Sequence, residues 1–230
     1  MYQLFIANKN YSSWSLRPWV LMTELAIPFQ EQVRPFADGP NWDAFRTFSP
    51  SGKVPCLVDG DTVVWDSLAI TEYLGERHPV WPQDVRGRAW ARCAAAEMHS
   101  GFGELRNRCS MSCGLRVRLH QQPPELLKDI ARIDELWCEG LKRFGGPFLA
   151  GPIFTAVDAF YAPVAFRVQT YNLSLSATAN AYVQRLLALR AMQTWYQGAL
   201  LEPWREIAHE EETQRVGTLL HDLRSAVAKS

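Results

Sequence analysis

Three short stretches carry side chains whose types and spacing suit the capture of a small acidic molecule. The first two lie in the run Gly52-Lys53-Val54-Pro55-Cys56-Leu57, then Asp59-Gly60, then Asp66-Ser67-Leu68-Ala69-Ile70. This order reads as an extended segment with a special proline, a tight hairpin, a second strand, and a helix opening on a carboxylate and a hydroxyl. Pro55 is a candidate for a cis peptide, a geometry largely confined to X-Pro bonds. In that form the backbone N–H and C=O of Val54 turn outward, where an extended peptide can pair with them. The helix start at Ser67 offers free amides and a positive dipole end to an anion. The third stretch, Asn10-Tyr11-Ser12-Ser13-Trp14-Ser15-Leu16-Arg17, lies between a strand and a helix, and its hydroxyls face whatever sits over that helix. Helix capping alone also accounts for these serines and for Asp66-Ser67.

The elements that must position these residues follow from periodicity. Tyr2 to Ala7 reads as a strand, and Leu16 to Ala26 as a helix ended by Pro28. Phe29 to Val33 is a second strand, and Asn41 to Phe48 a short irregular helix. Cys56 to Val58 and Thr62 to Trp65 are strands joined through Asp59-Gly60-Asp61, a hairpin signal. Ser67 to Arg77 is a helix stopped by His78-Pro79. The order βαβ then ββα fits a thioredoxin-like unit over residues 1–79. Proline-bounded residues 80–85 form a linker, and from 86 to 230 the pattern is all-helical. Within that second domain, Val85 to about Cys113 is one long helix or two, with a bend near Gly101-Phe102-Gly103. Pro124 to Phe144, Ala156 to Val168, Ala177 to Leu189 and Met192 to Leu200 are further helices. Val216, Leu219, Leu220, Leu223 and Val227 have the spacing of a docked helix or a frayed tail. The fold class expected is therefore α/β plus all-α.

The 24 basic and 24 acidic side chains cancel, so no net field draws the chain to nucleic acid or to an anionic membrane. No run approaches the roughly 18 apolar residues of a membrane span, and the N-terminal residues lack the pattern of a signal peptide. Five cysteines without a disulfide-framework spacing point to reduced thiols and a cytoplasmic protein. Cys109 and Cys113 are spaced to share a helix face but lack compelling ligand partners, so no metal site is expected.

The ordered set of serine motif, Lys53-Val54-Pro55 and Asp66-Ser67 resembles the glutathione site of the cytosolic glutathione transferases. Phe148-Leu149-Ala150-Gly151-Pro152-Ile153-Phe154-Thr155-Ala156-Val157-Asp158 is similar to the capping box in that family's helical domain. The resemblance covers most of the chain up to about His209 and is nearest to the serine-type zeta class, except that Trp14 stands where that class has cysteine. It implies a homodimer with glutathione as co-substrate. Ser12 takes the thiol-activating role, with Ser13 or Tyr11 as alternatives. Asp66 holds the α-amino group of the γ-glutamyl end, Ser67 its α-carboxylate, Lys53 the glycyl carboxylate, and Val54 with Pro55 the backbone.

The second substrate is expected beside the thiol, between the domains. His99, Phe102 and Arg106 are three and four residues apart on a helix facing that cleft, with Tyr11 and Trp14 as the opposite wall. The activity implied is conjugation of glutathione to a small electrophile, as in detoxification. The alternatives are a glutathione-dependent cis-trans isomerase of the maleylacetoacetate type, a peroxidase or thiol-reducing activity, and a non-catalytic interaction protein.

Overall fold

The computed structural model describes residues 1–36 and 41–224. Its first half is a four-stranded sheet with order β2-β1-β3-β4. Strand β1 (Tyr2–Ile6) runs parallel to β2 (Phe29–Val33), and the two are joined through helix α1 (Ser13–Glu24). Strand β3 (Cys56–Asp59) is antiparallel to β1, and β4 (Thr62–Val64) pairs antiparallel with β3 through the Gly60 turn. Short helix α2 (Trp42–Arg46) precedes β3, and α3 (Ser67–Gly75) follows β4. Leu4 and Ile6 are fully buried, as are Leu16, Val20 and Leu21 of α1, so the central strand and the first helix form one packed layer pair.

Two local details set where the serines stand. Helix α1 begins at Ser13, three residues earlier than periodicity suggests, so Ser12 is the residue before the first turn and Ser13 opens it. Its end also comes before Ala26. Ala26 adopts φ 52°, Ile27 N–H donates to Met22 O at 2.8 Å and Ala26 N–H to Thr23 O at 3.2 Å. This left-handed stop uses up the last carbonyls before Pro28 is reached.

The linker is packed rather than loose. Val80 and Trp81 are buried, and Ala156 N–H donates to Val80 O at 2.8 Å. Beyond it come α4 (Val85–Ser100), α5 (Gly103–Arg108), α6 (Pro124–Phe144), α7 (Ala156–Tyr171), α8 (Ala177–Ala188), α9 (Arg190–Leu201) and α10 (Ile207–Val216). Helix α7 is buried along nearly its whole length and packs against both α1 and α4, so a single apolar core joins the two halves.

Three expectations need correction. The second half is largely but not wholly helical: β5 (Leu115–Leu119) pairs antiparallel with β6 (Gly217–Asp222). The late apolar residues Leu219 and Leu220 belong to β6 rather than to a helix, and Val227 lies outside the described residues. Cys109 caps α5 and Cys113 sits in the following loop, so they share no helix face. Both thiols are buried; burial pushes Cys109 up to about 12 and moves Cys113 the same way, which makes them poor nucleophiles.

Candidate functional site

A cavity of about 500 Å³ opens at the N-terminal end of α1. Tyr11, Ser12, Ser13 and Trp14 line it from the β1–α1 segment, Gly52, Lys53 and Val54 from the loop before β3, and Arg106 and Arg167 from the helical half. Phe36, Phe45 and Met111 supply apolar wall. The loop approaches this closely because Gly52 takes φ 62°, and a Cβ there would lie 2.5 Å from the Trp42 ring. The following Val54–Pro55 peptide is cis, and Pro55 is buried.

The two serines differ in what their hydroxyls do. Ser12 is only 5% exposed, and its Oγ donates to Ser15 Oγ at 2.7 Å, which also accepts from Ala7 N–H at 3.3 Å. Ser13 is half-buried, and its Oγ accepts from Arg167 Nη2 at 3.3 Å. Tyr11 is tied elsewhere. Its hydroxyl donates to Glu210 Oε1 at 2.5 Å and accepts from Arg224 Nη1 at 3.0 Å, while its ring stacks on His209 at 5.0 Å. Burial, with the Glu210 carboxylate beside it, moves the Tyr11 hydroxyl well above its ordinary range. Tyr11 therefore lines the cavity as a fixed wall and keeps its proton, which it donates in a hydrogen bond to Glu210.

Asp66 and Ser67 open α3 on the far side of Trp14. Asp66 caps the helix by accepting from Leu68 N–H at 3.0 Å, and Ser67 is fully buried. Asp66, Trp65 and His99 line a shallow depression of about 410 Å³. Trp14 lines the first cavity and meets the His99 ring, which lines the depression, edge-on at 5.3 Å.

The expected second-substrate face is broken. Gly101 ends α4, and Phe102, at φ 56°, starts a separate short helix. His99 therefore points to Asp66, with its Nε2 3.5 Å from Asp66 Oδ2, and burial moves its imidazole below its ordinary range. Phe102 is buried in the core and lines neither the first cavity nor the depression at Asp66. Arg106 does line the first cavity, and it also donates to Met98 O at 3.3 Å and His99 O at 3.0 Å, closing the end of α4.

The residues that sequence reasoning missed are arginines. Arg17 is 2% exposed, sandwiched 4.1 Å from the Trp14 ring and 4.9 Å from Phe160, with Nη1 3.5 Å from Ser67 Oγ. Arg167 is 3% exposed, and its Nε donates to Cys109 O at 2.7 Å. Among the described residues, Arg17, Arg106 and Arg167 form no ion pair. Burial, reinforced by their mutual repulsion, pulls Arg17 down to about 9 and Arg167 to about 10. Of the three, Arg106 and Arg167 line the first cavity, and desolvated cations there favour any anion that enters. The signal was present in the sequence, since a lone arginine inside the otherwise apolar run Phe160 to Val168 has no packing reason to be there.

Comparison with known proteins identifies the family and the fold. The family model described as Glutathione S-transferase, N-terminal domain, matches residues 11–77. The chain is 31% identical to maleylacetoacetate isomerase of Rattus norvegicus over 157 residues, 66% of this chain and 71% of that protein. It is 32% identical to the zeta class glutathione S-transferase of Euphorbia esula over 137 residues, 57% of this chain and 61% of that protein. Among solved structures, a theta class glutathione S-transferase from Xanthomonas axonopodis pv. citri with glutathione bound superposes with a TM-score of 0.62 at 20% identity, covering 87% of this chain and 98% of that one. The latter likeness is one of fold.

Proposed function

The chain belongs to the glutathione transferase family, and on that premise we propose that it binds glutathione, ionises its thiol and transfers the sulfur to a small electrophile. The observation that carries this reading is the meeting of Ser12, Ser13, Lys53 and Val54 on one cavity with a cationic lining. Val54 offers its backbone to the cysteinyl residue, and exposed Lys53 meets the glycyl carboxylate. Past Trp14, Asp66 meets the γ-glutamyl ammonium, and the buried Ser67, with the Arg17 guanidinium behind it, backs the start of α3 that faces the γ-glutamyl carboxylate. Pro55 fixes the turn between these contacts.

The free thiol has a pKa near 8.5, so at neutral pH a few per cent is thiolate. Lowering that value by about two units takes roughly 2.7 kcal/mol of preferential thiolate stabilisation, within reach of a hydroxyl donor and a buried cation. The proton leaves to solvent. The thiolate lone pair forms the new C–S bond, and the leaving group departs with its bonding pair. Tyr11, Trp14, Arg106 and the apolar wall around them hold the electrophile. His99 and Phe102 take no part in this pocket.

A second reading, cis-trans isomerisation, is favoured by the relatives named maleylacetoacetate isomerase. In it the thiolate adds to a double bond and is expelled again after rotation. Trp14, standing where the zeta class has cysteine, favours conjugation. The family likeness supports a homodimer and a role in detoxification. All five cysteines are free, which supports a reducing, cytoplasmic setting.

Titration calorimetry with millimolar glutathione tests binding directly; no heat of binding contradicts the reading. Because Asp66 caps α3, Asp66→Ala also removes a helix cap at about 0.5–2 kcal/mol. Asp66→Asn keeps an acceptor for Leu68 N–H and removes the charge. Its affinity for glutathione is expected to fall about tenfold to a hundredfold, the loss of a charge-assisted hydrogen bond. The melting temperature of the free variant should stay close to that of the parent.

A further inference from the structure

We infer that Arg167 is a positioning residue that makes Ser13, rather than Ser12, the hydroxyl that donates to the glutathione thiolate. This rests on the reading that the cavity takes glutathione, and it names a residue from the other half of the molecule as part of the thiol site.

The argument is one of proton count. A serine hydroxyl has one proton and two lone pairs, and a guanidinium can only donate. Ser12 gives its proton to Ser15 Oγ, inside the protein. Ser13 Oγ accepts a hydrogen bond from Arg167 Nη2, so its oxygen is engaged as acceptor and its own proton is free to point into the cavity it lines. A hydrogen bond from a cation also polarises the hydroxyl that accepts it and strengthens the bond that hydroxyl donates in turn.

Arg167 is well placed for this task. It rises from the buried helix α7, which packs on α1, so the guanidinium and Ser13 are held by two rigid elements. Its Nε is fixed on Cys109 O, which leaves the Nη2 end for Ser13. No carboxylate neutralises it among the described residues. A purely structural arginine in the middle of a packed helix would need a counter-charge to offset its desolvation. The other ionisable groups on the cavity are Arg106 from α5, Lys53 from the loop before β3, and His209 and Glu212 from α10. Tyr11 is occupied with Glu210 and Arg224. None of these side chains is hydrogen-bonded to the Ser13 hydroxyl among the described residues.

The test is the ultraviolet thiolate absorbance of the glutathione complex against pH, in the parent and in Ser13→Ala, Ser12→Ala, Arg167→Lys, Arg167→Met and the double variant Ser13→Ala/Arg167→Met. Ser13→Ala and Arg167→Met are each expected to raise the bound-thiol pKa by about one unit, which is a tenfold loss of thiolate in the range below it. The double variant should do no worse than either alone, because the two residues act through one hydrogen bond. Arg167→Lys, which keeps a charged donor, should recover part of the shift. Ser12→Ala should move the pKa less than Ser13→Ala does. If Arg167→Met does not fold, the comparison of the two serine variants still decides. A parent complex with a depressed thiol pKa that Ser12→Ala restores and Ser13→Ala does not would overturn the assignment while leaving glutathione binding intact. Additive effects of Ser13→Ala and Arg167→Met would overturn the coupling. A parent that binds no glutathione overturns both the inference and the reading beneath it.

Discussion

Asp158→Ala is expected to cost about 3 kcal/mol or more of folding stability, enough to remove a large part of the 5–15 kcal/mol typical of a domain. Asp158 is fully buried, and its two carboxylate oxygens hold four donors. Leu149 N–H and Tyr182 O–H reach Oδ1 at 3.0 and 2.7 Å, and Thr155 N–H and Oγ1–H reach Oδ2 at 3.0 and 3.3 Å. Alanine leaves these groups dry and unpaired, and each such group costs about 1–3 kcal/mol. Burial pushes the Asp158 carboxyl up to about 6, against the four hydrogen bonds that favour its charge. Thr155→Ala should be milder, at about 0.5–2 kcal/mol, because it removes one side of the cap and leaves Asp158 in place. Denaturant unfolding of both variants measures this. If Thr155→Ala is as stable as the parent but inactive, the box belongs to the chemistry and the structural assignment is wrong.

Glutathione itself should have an effect of the same order. At about a hundred times its dissociation constant, a ligand that binds only the folded state stabilises it by roughly 2.7 kcal/mol. For a chain of this size that corresponds to a rise in melting temperature of about 5–10 °C. The rise should grow logarithmically with concentration, and Asp66→Asn should displace the curve to higher glutathione without changing its slope. S-methylated glutathione, which has no ionisable thiol, should stabilise less, because the cationic lining then meets no thiolate. Thermal melts across a glutathione series measure all three. A melting temperature that is flat across the series contradicts binding to the folded state.

The N-terminal half was legible because its punctuation is local. Pro28, Gly52, Pro55, Gly60 and Pro79 bound its elements, and Phe29–Val33 emerges with the limits expected. The helical half was legible wherever the apolar period ran long, as in Pro124–Phe144. Strand β5 was missed although Leu115-Arg116-Val117-Arg118-Leu119 alternates with period two. Five residues are too few to compete with the helices around them, and the partner strand lies in the far C-terminal segment. The shared face of His99, Phe102 and Arg106 failed for a related reason. Periodicity assumes a continuous helix, and the break falls at Phe102, inside the Gly101-Phe102-Gly103 stretch that the sequence marks as a bend. The site divides the same way. The candidates Ser12, Ser13, Lys53, Val54, Asp66 and Ser67 stand out as short motifs, because they fall at the starts of α1 and α3 and at the turn before β3. Arg167 reaches Ser13 only through the packing of α7 on α1, which no motif encodes.

The central claim, that this cavity holds glutathione and ionises its thiol, is tested most directly by titrating the thiol of the bound peptide in the unsubstituted protein. Thiolate absorbance of the saturated complex, followed against pH and corrected for free ligand, should be half developed well below pH 8.5, the reference for a free thiol. A saturated complex whose thiol ionises at the free-thiol value would contradict the account, since it would leave the serines and the buried arginines as scaffolding around a peptide that they do not activate.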